Sequence, residues 1–165
     1  MIIFSEYYLD NYMKCNTLIF VNLVLLIAVL MAGCTSSSSS DDLKFLDKIQ
    51  ESSNNIQENN EKIQTALTAR DWSTMKEYSD MQLIQADQAI FSIQLLEVTG
   101  KRIPAREAWI QVLESTKSVA VHTGRAATAY EKGQISEGND EMYIALDLMD
   151  VASEKLDQFN ALDLT

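Results

Sequence analysis

From residue 41 to residue 69, Leu46, Ile49, Ser53, Ile56, Asn60, Ile63 and Leu67 recur at alternating steps of three and four. This is the seam spacing of helices that pack along their length, and it excludes a strand, whose period is two. Ile49, Ile56 and Ile63 hold one seam position, while Ser53 and Asn60 weaken the other. The middle of the segment, ESSNNIQENNE, is rich in weak helix formers. This first helix therefore depends mainly on packing for its order.

Three further helices follow by the same logic. Asp71 is positioned to cap a second helix over about 72–98, because its carboxylate can accept from free N–H groups in the first turn. Leu83, Ile84, Ile90, Phe91, Ile93, Leu95, Leu96 and Val98 wrap around it, and the intervening polar residues are mostly uncharged, as in Gln82, Gln85, Gln88, Ser92 and Gln94. So much apolar surface predicts the most buried helix of the set, with Gly100 as its stop. Pro104 suits the first turn of a third helix, over about 104–131. Trp109, Val112, Leu113, Thr116, Val119, Ala120, Thr123, Ala126, Ala127 and Tyr130 recur on one side of it. Its second half, AVHTGRAATAY, is rich in small residues that let a neighbour come close, and Gly133 ends it. Ser136 or Gly138 opens a fourth helix, over about 137–160, with the seam Met142, Ala145, Met149, Ala152, Leu156 and Phe159. Short connections make successive helices antiparallel. The expected fold is all-α, an antiparallel up-down four-helix bundle over 43–165. With five Gly and one Pro in 165 residues, the chain lacks the turns of an all-β fold.

Upstream of the helices, Leu18 to Ala32 is an uncharged run, LIFVNLVLLIAVLMA. It is short for a spanning helix, which needs about 20 apolar residues, and fits the apolar core of a secretory signal. Lys14 supplies the positive flank. Residues 1–12 carry Glu6, Asp10 and no base, so Met13 is the expected functional start. The run ends Leu30-Met31-Ala32-Gly33-Cys34. This resembles the lipobox of prokaryotic lipoprotein precursors over residues 13–34, with Met31 where Leu, Val or Ala is commoner. The resemblance implies cleavage between Gly33 and Cys34 and lipidation of Cys34, leaving residues 1–33 as signal peptide. Small residues at 32 and 33 let a protease reach the backbone, and the Cys34 thiol is the nucleophile for thioether formation. Residues 34–42, the lipidated cysteine and a Ser-rich stretch ending Asp41-Asp42, are expected to be a flexible tether. Lys14 before the run and the acidic pair after it place the body on the extracytoplasmic side of the cell membrane.

The remaining chemistry is sparse. Cys15 leaves with the signal and Cys34 is alkylated, so the body has neither a disulfide nor thiolate chemistry. His122 is the sole histidine, which excludes a di-metal carboxylate bundle and leaves no convincing triad. The expected His122 is a partly buried packing residue. Asp140, Asp147, Asp150, Glu154 and Asp157 stripe the last helix and read as a solvated face. Trp72 and Trp109 read as staples of helix entrances, and Met75, Met81, Met142 and Met149 as fillers of the core. A net charge of −11 disfavours nucleic acid, which needs phosphate-neutralising Lys and Arg. No cofactor, metal or catalytic residue is assigned. The expected function is a non-enzymatic lipoprotein that binds or scaffolds another envelope protein. The alternative is a bundle that carries or senses a small ligand in space left by Ser53, Asn60, Thr116 and Thr123.

Overall fold

A computed structural model describes residues 39–162. Gly33, Cys34, the apolar run before them and most of the expected tether lie outside the described residues. The chain forms a four-helix bundle, with no strand among the described residues: α1 (Ser40–Ala69), α2 (Trp72–Gln94), a short 3₁₀ turn (Gly100–Arg102), α3 (Ile103–Glu131) and α4 (Ile135–Asn160). Sequential helices run antiparallel. The most extensive backbone approach is between α3 and α4, followed by α2 with α3 and then α1 with α2. The small residues of α3 explain the order: Ala120, Thr123, Gly124, Ala126, Ala127 and Ala129 are all buried, and none holds a neighbouring helix away.

The core has two halves. One joins Phe45 and Ile49 of α1, Ile90 and Ile93 of α2, Trp109 and Leu113 of α3, and Leu156 and Phe159 of α4. The other joins Ile63 and Leu67, Met75, Val119, Ala126 and Ala127, and Met142 and Met149. Every helix contributes to both halves, so no helix is an appendage. Between these groups along α1 and α2 lie Asn59 and Gln82, both buried. Asn59 Nδ2 donates to Gln85 Oε1 at 2.6 Å and Gln82 Nε2 to Asn60 Oδ1 at 3.1 Å. These bonds offset the cost of burying amides and help fix the α1–α2 register.

The turns follow their residues where those residues decide. Arg70 takes the left-handed conformation, at φ 55°, and ends α1. Asp71 caps α2 by accepting from the Thr74 N–H at 3.1 Å. Gly133 closes the α3–α4 turn at φ 74°, where a side chain would be strained.

Four expectations need correction. Ser40, Asp41 and Asp42, assigned to the tether, form the first turn of α1. Ser39 Oγ accepts from the Asp42 N–H at 3.1 Å, and Asp42 Oδ2 accepts from the Ser39 N–H at 3.3 Å, a reciprocal cap that extends the helix toward the N-terminus. The second helix stops at Gln94 rather than near 98, and Gly100 opens the 3₁₀ turn instead of stopping a helix. The N–H groups of Glu97 and Thr99 are taken by the carboxylates of Asp41 and Asp42. The fourth helix starts at Ile135 with no side-chain cap, and Ser136 and Gly138 lie inside it. Finally, α2 is not the most buried helix of the set: α3 buries more of its residues, and Ile84, Phe91 and Leu95 of the α2 segment are 55%, 65% and 66% exposed. One helix in a bundle of four has a limited inner face, and α2 carries more apolar residues than that face holds.

Candidate functional site

The described chain begins five residues after Cys34, so the start of α1 marks where any anchor at that cysteine would attach. Five residues span at most about 18 Å when fully extended. The end of the bundle concerned consists of the α1 N-terminus, the 95–102 connection, the start of α3 and the end of α4. Asp42 organises it. Its carboxylate is almost fully buried and accepts from the Ser39 N–H and, at 2.8 Å, from the Thr99 N–H 57 residues away. Burial pushes this carboxyl up, but the hydrogen bonds from Thr99 and Ser39 outweigh it and hold it below the usual carboxylate range. Asp41 accepts from the Glu97 N–H at 3.1 Å and pairs with Lys44 at 2.9 Å. The Lys44 ammonium, then the Glu97 N–H, lower its pKa. The acidic pair that ends the Ser-rich stretch thus ties the α2–α3 connection to the root of α1.

Behind this junction lies the half of the core that holds Trp109 and Phe159. Trp109 is fully buried, its ring centroid 4.9 Å from that of Phe159. Its Nε1–H donates to Ser52 Oγ at 3.0 Å, and the Ser52 hydroxyl donates in turn to the Lys48 carbonyl at 2.7 Å. Trp109 therefore sits deeper than a staple at a helix entrance. Trp72 does pack near an entrance, at the opposite end, with its ring 4.6 Å from Tyr130. Met75, Met142 and Met149 are buried, as core fillers should be, and Met81 is half-buried.

The polar seam positions do not converge on one space. Thr116 is buried and returns its hydroxyl to the Val112 carbonyl at 2.9 Å, and Asn60 is engaged by Gln82. Ser53 and Thr123 are buried with hydroxyls that have no hydrogen-bond partner. The space bounded by Ser52, Asn59, Gln82 and Leu113 is about 10 Å³, room for roughly one water molecule. A wider groove of about 310 Å³ runs outside it between α1 and α2, from Lys48 and Asn55 to Gln88 and Phe91.

His122 is half-buried, and its Nδ1 lies 2.6 Å from Glu141 Oε2, a clamp between α3 and α4. Asp140, Asp147, Asp150, Glu154 and Asp157 are exposed along α4. Among the described residues no group of three His, Cys, Asp or Glu side chains is placed to hold a metal ion. Nor is any helix among them long and apolar enough to cross a membrane. The contacts of Asp42 with Thr99, Ser52 with Trp109 and His122 with Glu141 were not foreseen. The first two pairs are 57 residues apart and carry no periodic signal, whereas the third joins neighbouring helices and was open to inference once α3 and α4 had been paired. Comparison with known families, curated proteins and solved structures finds no match to this chain.

Proposed function

We propose that this protein is a non-enzymatic lipoprotein of the cell envelope, held to the extracytoplasmic face of the cell membrane by a lipid on Cys34. Its bundle would serve as a binding or scaffold module for another envelope protein. The observation that carries the proposal is the uncharged run ending Ala32-Gly33-Cys34, which resembles a lipobox and lies just ahead of a capped, folded helix. Support for a scaffold comes from the kind of chemistry the bundle displays. Three of its buried polar pairs serve helix register and caps: Asn59 with Gln85, Ser52 with Trp109, and Asp42 with Thr99. Stable anchoring needs two or more acyl chains, each buried CH₂ contributing about 0.8 kcal/mol.

Cys34→Ala in the full precursor tests the anchor. The helical circular dichroism of the body should be unchanged, and the protein should leave the membrane fraction. Retention of the variant in membranes would overturn the proposal. A carrier of small ligands has less support, because the space beside Ser52 holds about one water and the larger groove is open to solvent.

A further inference from the structure

Nine large apolar side chains are exposed among the described residues, and four of them gather at one end of the bundle: Leu43, Phe91, Leu95 and Ile103. Leu43 lies in the first turn of α1, Phe91 in the last turn of α2, Leu95 just past it, and Ile103 at the first position of α3. At 1.5 Å per residue, all four are within about 6 Å of their helix ends along the bundle axis. They come from three helices and share an end rather than a side. A lateral partner helix would instead meet a stripe along one helix.

The charges at this end differ from those of the chain as a whole. Lys101, Arg102 and Arg106 fall within six residues, KRIPAR, with no acid before Glu107. None has a carboxylate partner among the described residues, although Arg106 donates to the Leu96 carbonyl at 3.0 Å. Two nearby acids are turned to the fold: Asp42 is buried on backbone N–H groups, and Asp41 is shared between Glu97 N–H and Lys44. Glu97, Glu107 and Asp157 are exposed carboxylates at this end among the described residues. Apolar tips with unpaired bases beside them suit the boundary between lipid headgroups and acyl chains.

We infer that this end of the bundle rests on the lipid surface, with Phe91 and Leu95 entering the acyl boundary and the exposed Lys101 among anionic headgroups. The inference rests on the proposed anchor at Cys34, whose five-residue reach brings this end to the bilayer. The opposite end, with Trp72, Tyr130 and Ile135, then faces away and is left for a protein partner.

The test introduces one tryptophan, by Leu95→Trp or, as a control at the far end, by Ile135→Trp. Both positions are exposed, so neither change disturbs the core. The full-length lipoprotein, extracted from its host, is reconstituted in vesicles of zwitterionic and anionic phospholipid with or without brominated acyl chains. Emission is read against the parent protein, which supplies the signal of Trp72 and Trp109. The tryptophan of the Leu95→Trp variant should lose most of its emission to brominated lipid, and that of Ile135→Trp should lose little. Vesicle-bound protein with no quenching at either position overturns the inference and leaves the anchor standing. A blue-shifted emission at position 95 that brominated lipid does not quench places the patch against protein and also overturns it. Protein that fails to float with the vesicles removes the anchor and the inference together.

Discussion

Gly138→Ala is a substitution in which two known effects oppose each other and the structure decides between them. Gly138 is buried inside α4. Replacing a helix-interior glycine by alanine ordinarily stabilises by about 1 kcal/mol. Here an added Cβ would stand 2.5 Å from Cδ1 and 2.9 Å from Cζ of Tyr130, closer than unbonded carbons approach. The ring has no easy retreat. It packs on Trp72 at 4.6 Å between centroids, and its hydroxyl donates to Asn139 Oδ1 at 2.9 Å. Overpacking of this kind costs about 1–3 kcal/mol, and a displaced aromatic pair loses about 0.5–1.5 kcal/mol more. Set against the propensity gain, the net expectation is a loss of about 2 kcal/mol. Urea unfolding followed by tryptophan emission measures it, and Trp72 reports the local change directly. The decisive control is the same substitution in a Tyr130→Ala background. With the ring gone the clash is gone, and Gly138→Ala should become stabilising by up to about 1 kcal/mol. A stabilising Gly138→Ala in the parent protein, or the same sign in both backgrounds, would refute the reasoning.

Ser52 and Ser53 are neighbours with opposite expectations. Ser52→Ala strands the buried Trp109 N–H and should cost about 1–3 kcal/mol, whereas Ser53→Ala removes an unpaired buried hydroxyl and should be neutral or stabilising by about 1 kcal/mol; urea midpoints compare the two. Burial, then the neighbouring Tyr143, pushes the Tyr130 phenol up to about 12. A group whose folded pKa is raised gives stability that is intact below its unfolded value near 10 and lost as pH rises through about 12. Thermal melts from pH 9 to 12 should therefore fall more steeply in the parent than in Tyr130→Phe. Asp42 behaves in the opposite sense. Its folded pKa is lowered, so its stability is present above about 3.9 and lost as pH falls through the lower folded value. Exchange of the Thr99 amide proton, measured by NMR, should accelerate in Asp42→Asn relative to the parent at neutral pH.

The helices were legible because their apolar spacing is a local, repeating signal. Ile49, Ile63, Met142, Met149, Leu156 and Phe159 occupy the core positions that their steps of three, four and seven require. Gly133 and Asp71 were legible because a positive φ and an open helix N-terminus each favour few residues. The end of the second helix was not, because what stops it is remote: Asp41 and Asp42, more than fifty residues upstream, bind the N–H groups of Glu97 and Thr99. The exposure of Ile84, Phe91 and Leu95 escaped notice for a related reason. Apolar content says how much surface a helix would bury, and the number of neighbouring helices says how much it can. Of the candidate site residues, His122 was foreseen as a half-buried packing residue but not as the partner of Glu141. Gly33 and Cys34 carry the functional proposal on sequence alone, since they precede the described residues.

The mass of the N-terminal peptide, taken from protein purified out of the membranes of its own host, tests the central claim most directly. A chain that begins at Cys34 and carries the added mass of acyl chains on that residue is the predicted result. A chain that retains residues 18–32 and has an unmodified Cys34 thiol would contradict it.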